Sequence, residues 1–137
     1  MPYPSTFSIV AHLPQSKEWG IAVASKFPAV GAVVPWARAE AGAVATQSFA
    51  NTSFGPTGLD LMSGGMSASD ALAAMLSSDP DREQRQVGLV DANGQSATFT
   101  GEKCHDWAGG FTGTGYAIQG NILTGPEVIR AMKKAYL

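Results

Sequence analysis

Apolar and polar positions alternate twice within the first 25 residues, in Phe7-Ser8-Ile9-Val10-Ala11 and in Trp19-Gly20-Ile21-Ala22-Val23-Ala24. A period of two is that of a strand with one buried face. Residues 14–18 between the two runs read as a hairpin connection. Residues 30–34 and 43–49 add two further strand runs, separated by Trp36-Ala37-Arg38-Ala39-Glu40. Their Ala and Gly side chains are thin, which suits a sheet packed closely against a second layer.

The period then lengthens. Pro56 fits an opening helical position and Gly64-Gly65 a stop, which predicts a short helix over residues 57–63. Ser67-Ala68-Ser69-Asp70 has the form of a capping box, opening a helix over residues 68–78. In it Ala71, Leu72, Met75 and Leu76 form an apolar stripe that reads as core packing. Asp79-Pro80-Asp81 ends that helix. Residues 87–91 and 96–100 read as strands around Asn93-Gly94, a strong hairpin signal. Residues 115–120 give another strand, and Gly125-Pro126 opens a last helix with Val128, Ile129, Met132 and Tyr136 on one side. Strands, helices, strands and a helix in that order predict an α+β fold with mainly antiparallel sheets. The expected core is Phe7, Ile9, Ile21, Val23, Val33, Val44, Leu72, Leu76, Val87, Leu89 and Ile118.

Composition narrows the class. The 137 residues are 45% hydrophobic and 15% charged, with a net charge of −2. That length predicts one domain. The charged share is below the ~25% of an average soluble domain, which points to extensive buried interfaces and a homo-oligomer. The mild negative charge argues against nucleic acid as a partner. No apolar run approaches the ~18 residues of a membrane span, and the N-terminus lacks the features of a secretory signal, so a cytoplasmic location is expected.

Candidate chemistry is sparse. The two histidines, His12 and His105, have no carboxylate at ligand spacing, so neither a metal nor another cofactor is expected. Cys104, the single cysteine, reads as a plain free thiol despite its neighbour His105. Gly109-Gly110-Phe111-Thr112-Gly113-Thr114-Gly115 is expected to form a turn, because a phosphate loop would need a helix after it. No Gly-x-Ser-x-Gly elbow occurs. Thr6 remains, at the start of the first strand. A threonine made N-terminal by processing can use its own α-amine as the base for its hydroxyl, and Lys26 at the end of the second strand could help hold that amine neutral.

Several segments resemble a bacterial family catalogued as domain of unknown function 1028. They are Thr6-Phe7-Ser8-Ile9-Val10-Ala11, Gly20-Ile21-Ala22-Val23-Ala24-Ser25-Lys26, Gly42-Ala43-Val44-Ala45-Thr46-Gln47-Ser48-Phe49-Ala50-Asn51, Arg85-Gln86-Val87-Gly88-Leu89-Val90-Asp91 and Tyr116-Ala117-Ile118-Gln119-Gly120-Asn121. That family is held to resemble the N-terminal-nucleophile hydrolases. The resemblance implies a four-layer αββα sandwich and an amide-bond hydrolase acting on a small amide or short peptide. Thr6 would be the catalytic nucleophile with Lys26 beside it, and Ser25, Gln47, Asn51 and Asn121 match positions expected to line the substrate site. It also implies a single domain over residues 6–137, with residues 1–5 an N-terminal extension removed as a leader before Thr6. Family members usually continue past Tyr136, so a C-terminal segment is expected to be missing, its surface covered by a partner or a second copy. The alternative expectation is a non-catalytic binding or assembly module of the same fold.

Overall fold

The computed structural model describes residues 4–137, so part of the expected N-terminal extension lies outside the described residues. Strands β1 (Thr6–Leu13) and β2 (Glu18–Ser25) form the first hairpin. Then come β3 (Pro35–Arg38), β4 (Gly42–Ser48), α1 (Phe54–Ser63), α2 (Ala68–Ser77), β5 (Arg85–Asp91), β6 (Ser96–Thr100), β7 (Gly109–Gly113), β8 (Tyr116–Asn121) and α3 (Glu127–Tyr136). One sheet has the order β2-β1-β8-β7 and the other β3-β4-β5-β6. Every neighbouring pair is antiparallel.

The two sheets face each other, with β5 over β8, β1 over β4 and β6 over β7. Helices α1 and α2 cover the outer face of the second sheet, where Phe54, Leu59, Met62, Leu72 and Met75 pack on Val44, Val87 and Leu89. Helix α3 covers part of the first sheet, setting Ile129 on Tyr116 and Ile118. The α+β class and antiparallel sheets read from the periodicity are therefore present. The capping box is too: Ser67 Oγ accepts from the Asp70 N–H at 3.1 Å.

Three expectations fail for physical reasons. Residues 30–34 are not a strand. Val30–Ala32 is a 3-10 turn entered through Ala29 at φ 55°, because this segment carries the chain from β2 in one sheet to β3 in the other. Pro35 then opens β3, an edge strand where a missing N–H is tolerated. The glycine run is not wholly a turn, since Gly109–Gly113 pairs with β8. Its glycines are needed because the strand lies close to its neighbours: a Cβ on Gly113 would sit 2.4 Å from the Tyr116 ring, and one on Gly110 2.9 Å from the Ile118 carbonyl oxygen.

The third failure is Phe7, which is 37% exposed. It points to the outer face of the first sheet at β1, whereas α3 packs on β7 and β8. Ile9, Ile21, Val23, Val33 and Leu76 are half-buried, and Val44, Leu72, Val87, Leu89 and Ile118 are buried as expected. Helix α1 begins at Phe54 rather than residue 57. Pro56 is then its third residue, still within the first turn, where an N–H has no partner in the helix. Among the described residues, no helix is long and apolar enough to cross a membrane.

Candidate functional site

Antiparallel pairing brings five strand ends together at one end of the sandwich. Thr6, the first residue of β1, faces Ser25 at the end of β2 and Asn121 at the end of β8. Across the gap between the sheets, Ser48 ends β4 opposite Arg85, which begins β5. A cavity of about 440 Å³ opens here. Thr6, Gln47, Ser48, Arg85, His105 and Asn121 give its wall polar groups, and the chain between β2 and β3 gives it an apolar side.

Thr6 is 7% exposed, and its Oγ1 lies 2.9 Å from Ser25 Oγ. Ser25 Oγ also accepts from the Phe27 N–H at 3.1 Å, which fixes the serine. Inward-facing positions of four strands then build an amide network behind Thr6. Gln47 Oε1 accepts from Ser8 Oγ at 2.6 Å, and its Nε2 donates to Gln86 Oε1 at 2.8 Å. Asn121 Nδ2 donates to the same Gln86 oxygen at 3.0 Å. Gln86 Nε2 donates to Thr100 Oγ1 and to the Gly120 carbonyl. Gln119 Nε2 donates to Ser8 Oγ at 2.7 Å. Gln47, Gln86, Gln119 and Asn121 are all at most 2% exposed. Buried amides are tolerated only when their hydrogen bonds are made, and here they hold one another in fixed orientations.

The expected site residues divide. Thr6, Gln47 and Asn121 line the cavity, and Ser25 is bonded to Thr6. Asn51 is not in the cavity wall. It sits before α1, its Oδ1 accepting from Ser53 and its Nδ2 donating to Asp79 at 3.1 Å. Lys26 follows Ser25, is exposed, and is also absent from the wall. Gln86 and Gln119 escaped the sequence reading. The available signal was an amide within each of two strands, at positions whose facing was unknown before pairing.

Electrostatics at the rim centre on Arg85. Its Nε and Nη2 donate to the two oxygens of Asp79 at 2.8 and 3.2 Å, and its Nη1 donates to the Phe49 carbonyl at 2.7 Å. The Arg85 hydrogen bonds hold the Asp79 carboxyl at about 2, below its usual value, against the opposing effect of burial. Burial pushes the Cys104 thiol up, and its Sγ donates to the Arg85 carbonyl at 3.3 Å, so it is a neutral packing group.

Two facing antiparallel sheets with outer helices and a buried polar end define a class of α+β sandwich. Within that class, the family of unknown function DUF1028 matches residues 6–137, and the chain belongs to it. The crystal structure of a DUF1028 protein from Silicibacter pomeroyi is similar, with a TM-score of 0.93 and 33% identity. The match covers 96% of this chain and 61% of that one, so this chain spans about three fifths of the relative's length. No curated protein matches.

Proposed function

We propose that the chain is an amide-bond hydrolase of the N-terminal-nucleophile type, acting on a small amide or short peptide through Thr6 once residues 1–5 are removed. The observation that carries this reading is the position of Thr6. It is the first residue of a central strand, with its hydroxyl held by Ser25 at the wall of a cavity. In the reaction, Thr6 Oγ1 adds to the substrate carbonyl carbon and its proton passes to the freed α-amine, whose ordinary pKa of about 7.7–8.0 suits a base. The carbon–nitrogen bond then breaks and the leaving amine takes that proton. Water hydrolyses the remaining ester and restores Thr6.

Ser25 orients the hydroxyl. Asn121 and Gln47 each spend one amide N–H on Gln86 and keep a second for a substrate carbonyl. Lys26, one residue beyond Ser25, is exposed and outside the cavity wall, so solvent screens its charge from the amine. Asn51 supports the site indirectly, through Asp79 and hence Arg85.

Intact-mass measurement of the expressed protein, paired with an amide-hydrolysis assay, tests the reading. Loss of residues 1–5 and turnover abolished in Thr6→Ala with an unchanged circular dichroism spectrum are expected. An intact leader on an active protein, or undiminished turnover in Thr6→Ala, overturns it.

A second reading, an assembly module of the same fold, draws on the exposed apolar side chains of the first sheet, Phe7, Leu13 and Phe111. It predicts self-association without turnover, and a clean monomer by light scattering at micromolar concentration removes it.

A further inference from the structure

We propose that the cavity beside Thr6 selects an uncharged hydrocarbon group on the amide it receives and rejects an ammonium group. This deepens the hydrolase reading and rests on it for the word substrate, but it concerns binding alone. Much of the cavity wall is apolar: Phe27, Val30, Val33 and Val34 of the crossing segment, with Phe49 and Ile122. These six side chains offer no hydrogen-bonding group. At about 440 Å³ the space falls within the usual range for small-molecule sites, which are lined mainly by apolar side chains with a few polar groups fixing orientation.

Among the described residues, Arg85 is the one guanidinium in the wall, His105 is its other basic side chain, and no aspartate or glutamate lines it. The arginine is already occupied: both Asp79 oxygens and the Phe49 carbonyl take hydrogen bonds from its Nε, Nη2 and Nη1. Asp79 is itself buried, with a 5% exposed side chain, and Asp81 lies 3.8 Å from Arg85 Nη2. A ligand ammonium would leave water for a wall that holds this arginine and, once Thr6 is N-terminal, its α-amine, but no carboxylate. Its charge would lose solvation without a partner, the costliest form of burial.

The polar groups sit instead where an amide would need them. Thr6 Oγ1 and the Gln47 and Asn121 amides are neutral and lie at one end, so a bound amide would set its carbonyl there and its hydrocarbon group on the valine side. The device is an orientation filter: one end reads a neutral amide, the other reads the lack of charge.

The test uses the full chain carrying Thr6→Ala, so that binding is read without turnover. The ¹⁵N-labelled protein is titrated with phenylacetamide and with 5-aminopentanamide, two amides that differ in charge. Phenylacetamide is expected to shift the amide signals of Val33, Val34 and Ile122 and to bind at least about tenfold more tightly than 5-aminopentanamide. Val33→Asp in the same background is expected to weaken phenylacetamide by about tenfold while the remaining spectrum stays dispersed. Equal or tighter binding of 5-aminopentanamide, shifts that fall elsewhere, or no binding by either probe overturns the proposal. If the preference holds while Thr6→Ala leaves turnover undiminished, only the hydrolase reading falls.

Discussion

Strands β4 and β5 present two buried faces with opposite chemistry. The face toward α1 and α2 carries Val44, Val87 and Leu89, packed on Phe54, Leu59, Met62, Leu72 and Met75. The face toward the first sheet carries Ala43, Ala45, Gln47, Gln86, Gly88 and Val90. Burial alone does not separate them, since Val87, Leu89, Gln47 and Gln86 are all at most 1% exposed. What differs is tolerance. An apolar layer accepts many side chains of similar volume, whereas a buried amide cluster accepts few arrangements because each unmet hydrogen bond is costly. The helix-facing layer thus supplies stability, and the inter-sheet layer fixes where the ends of β1, β4 and β8 stand.

Substitutions on the two faces should therefore fail differently. Leu89→Ala should cost the most, about 2–5 kcal/mol in chemical denaturation, as a cavity opens under α1 and α2. Cavity probes should still bind. Gln86→Leu conserves bulk but strips the acceptor from Gln47 and Asn121 and the donor from Gly120, for a loss of about 1–3 kcal/mol. Unlike Leu89→Ala, it should weaken ligand binding beside Thr6, and if both variants lower affinity equally the comparison between the faces breaks down. Gly88→Ala places a Cβ 2.1 Å from Gln119 Oε1, in a side chain tied to Ser8, and should cost a similar or smaller amount, about 1–3 kcal/mol.

The smallest expected effect lies in pH. The Asp79 carboxyl is held at about 2 in the folded chain, chiefly by Arg85, below its ordinary 3.8. A depressed carboxylate stabilises the fold above its unfolded pKa, and that contribution is lost as pH falls from about 4 toward 2. Thermal melts of Arg85→Ala should show a shallower loss between those values than the parent. An unchanged acid limb would mean that the pair adds nothing to stability.

Features set by neighbours in sequence were legible. The alternation over residues 7–11 and 19–24 marked β1 and β2, Ser67 and Asp70 marked the start of α2, and Asn93-Gly94 marked the β5–β6 turn, where Gly94 has φ 79°. Thr6, Ser25, Gln47 and Asn121 could be named one at a time. Their meeting depended on pairings such as Thr6 with Asn121, which link residues far apart along the chain. Gln86 and Gln119 were missed for the same reason: an amide on a strand has no evident role until its facing partner is known. The exposure of Phe7 was equally hidden, since nothing in its own strand says which part of a sheet a helix will cover.

The β1–β8 pairing also constrains how the molecule comes into being. The second sheet and its two helices are complete within residues 35–100. The first sheet joins a strand made at the outset to one ending at Asn121. During synthesis β1 can pair with β2 at once, but its other edge, running from Thr6 to Ala11, waits for Tyr116–Asn121 to emerge. Until then that edge presents unpaired backbone beside Phe7 and Ile9, the kind of surface that recruits other chains. The same residues that end as an interior strand therefore begin as an open edge, and the strand that brings Asn121 to Thr6 is also the one that closes it.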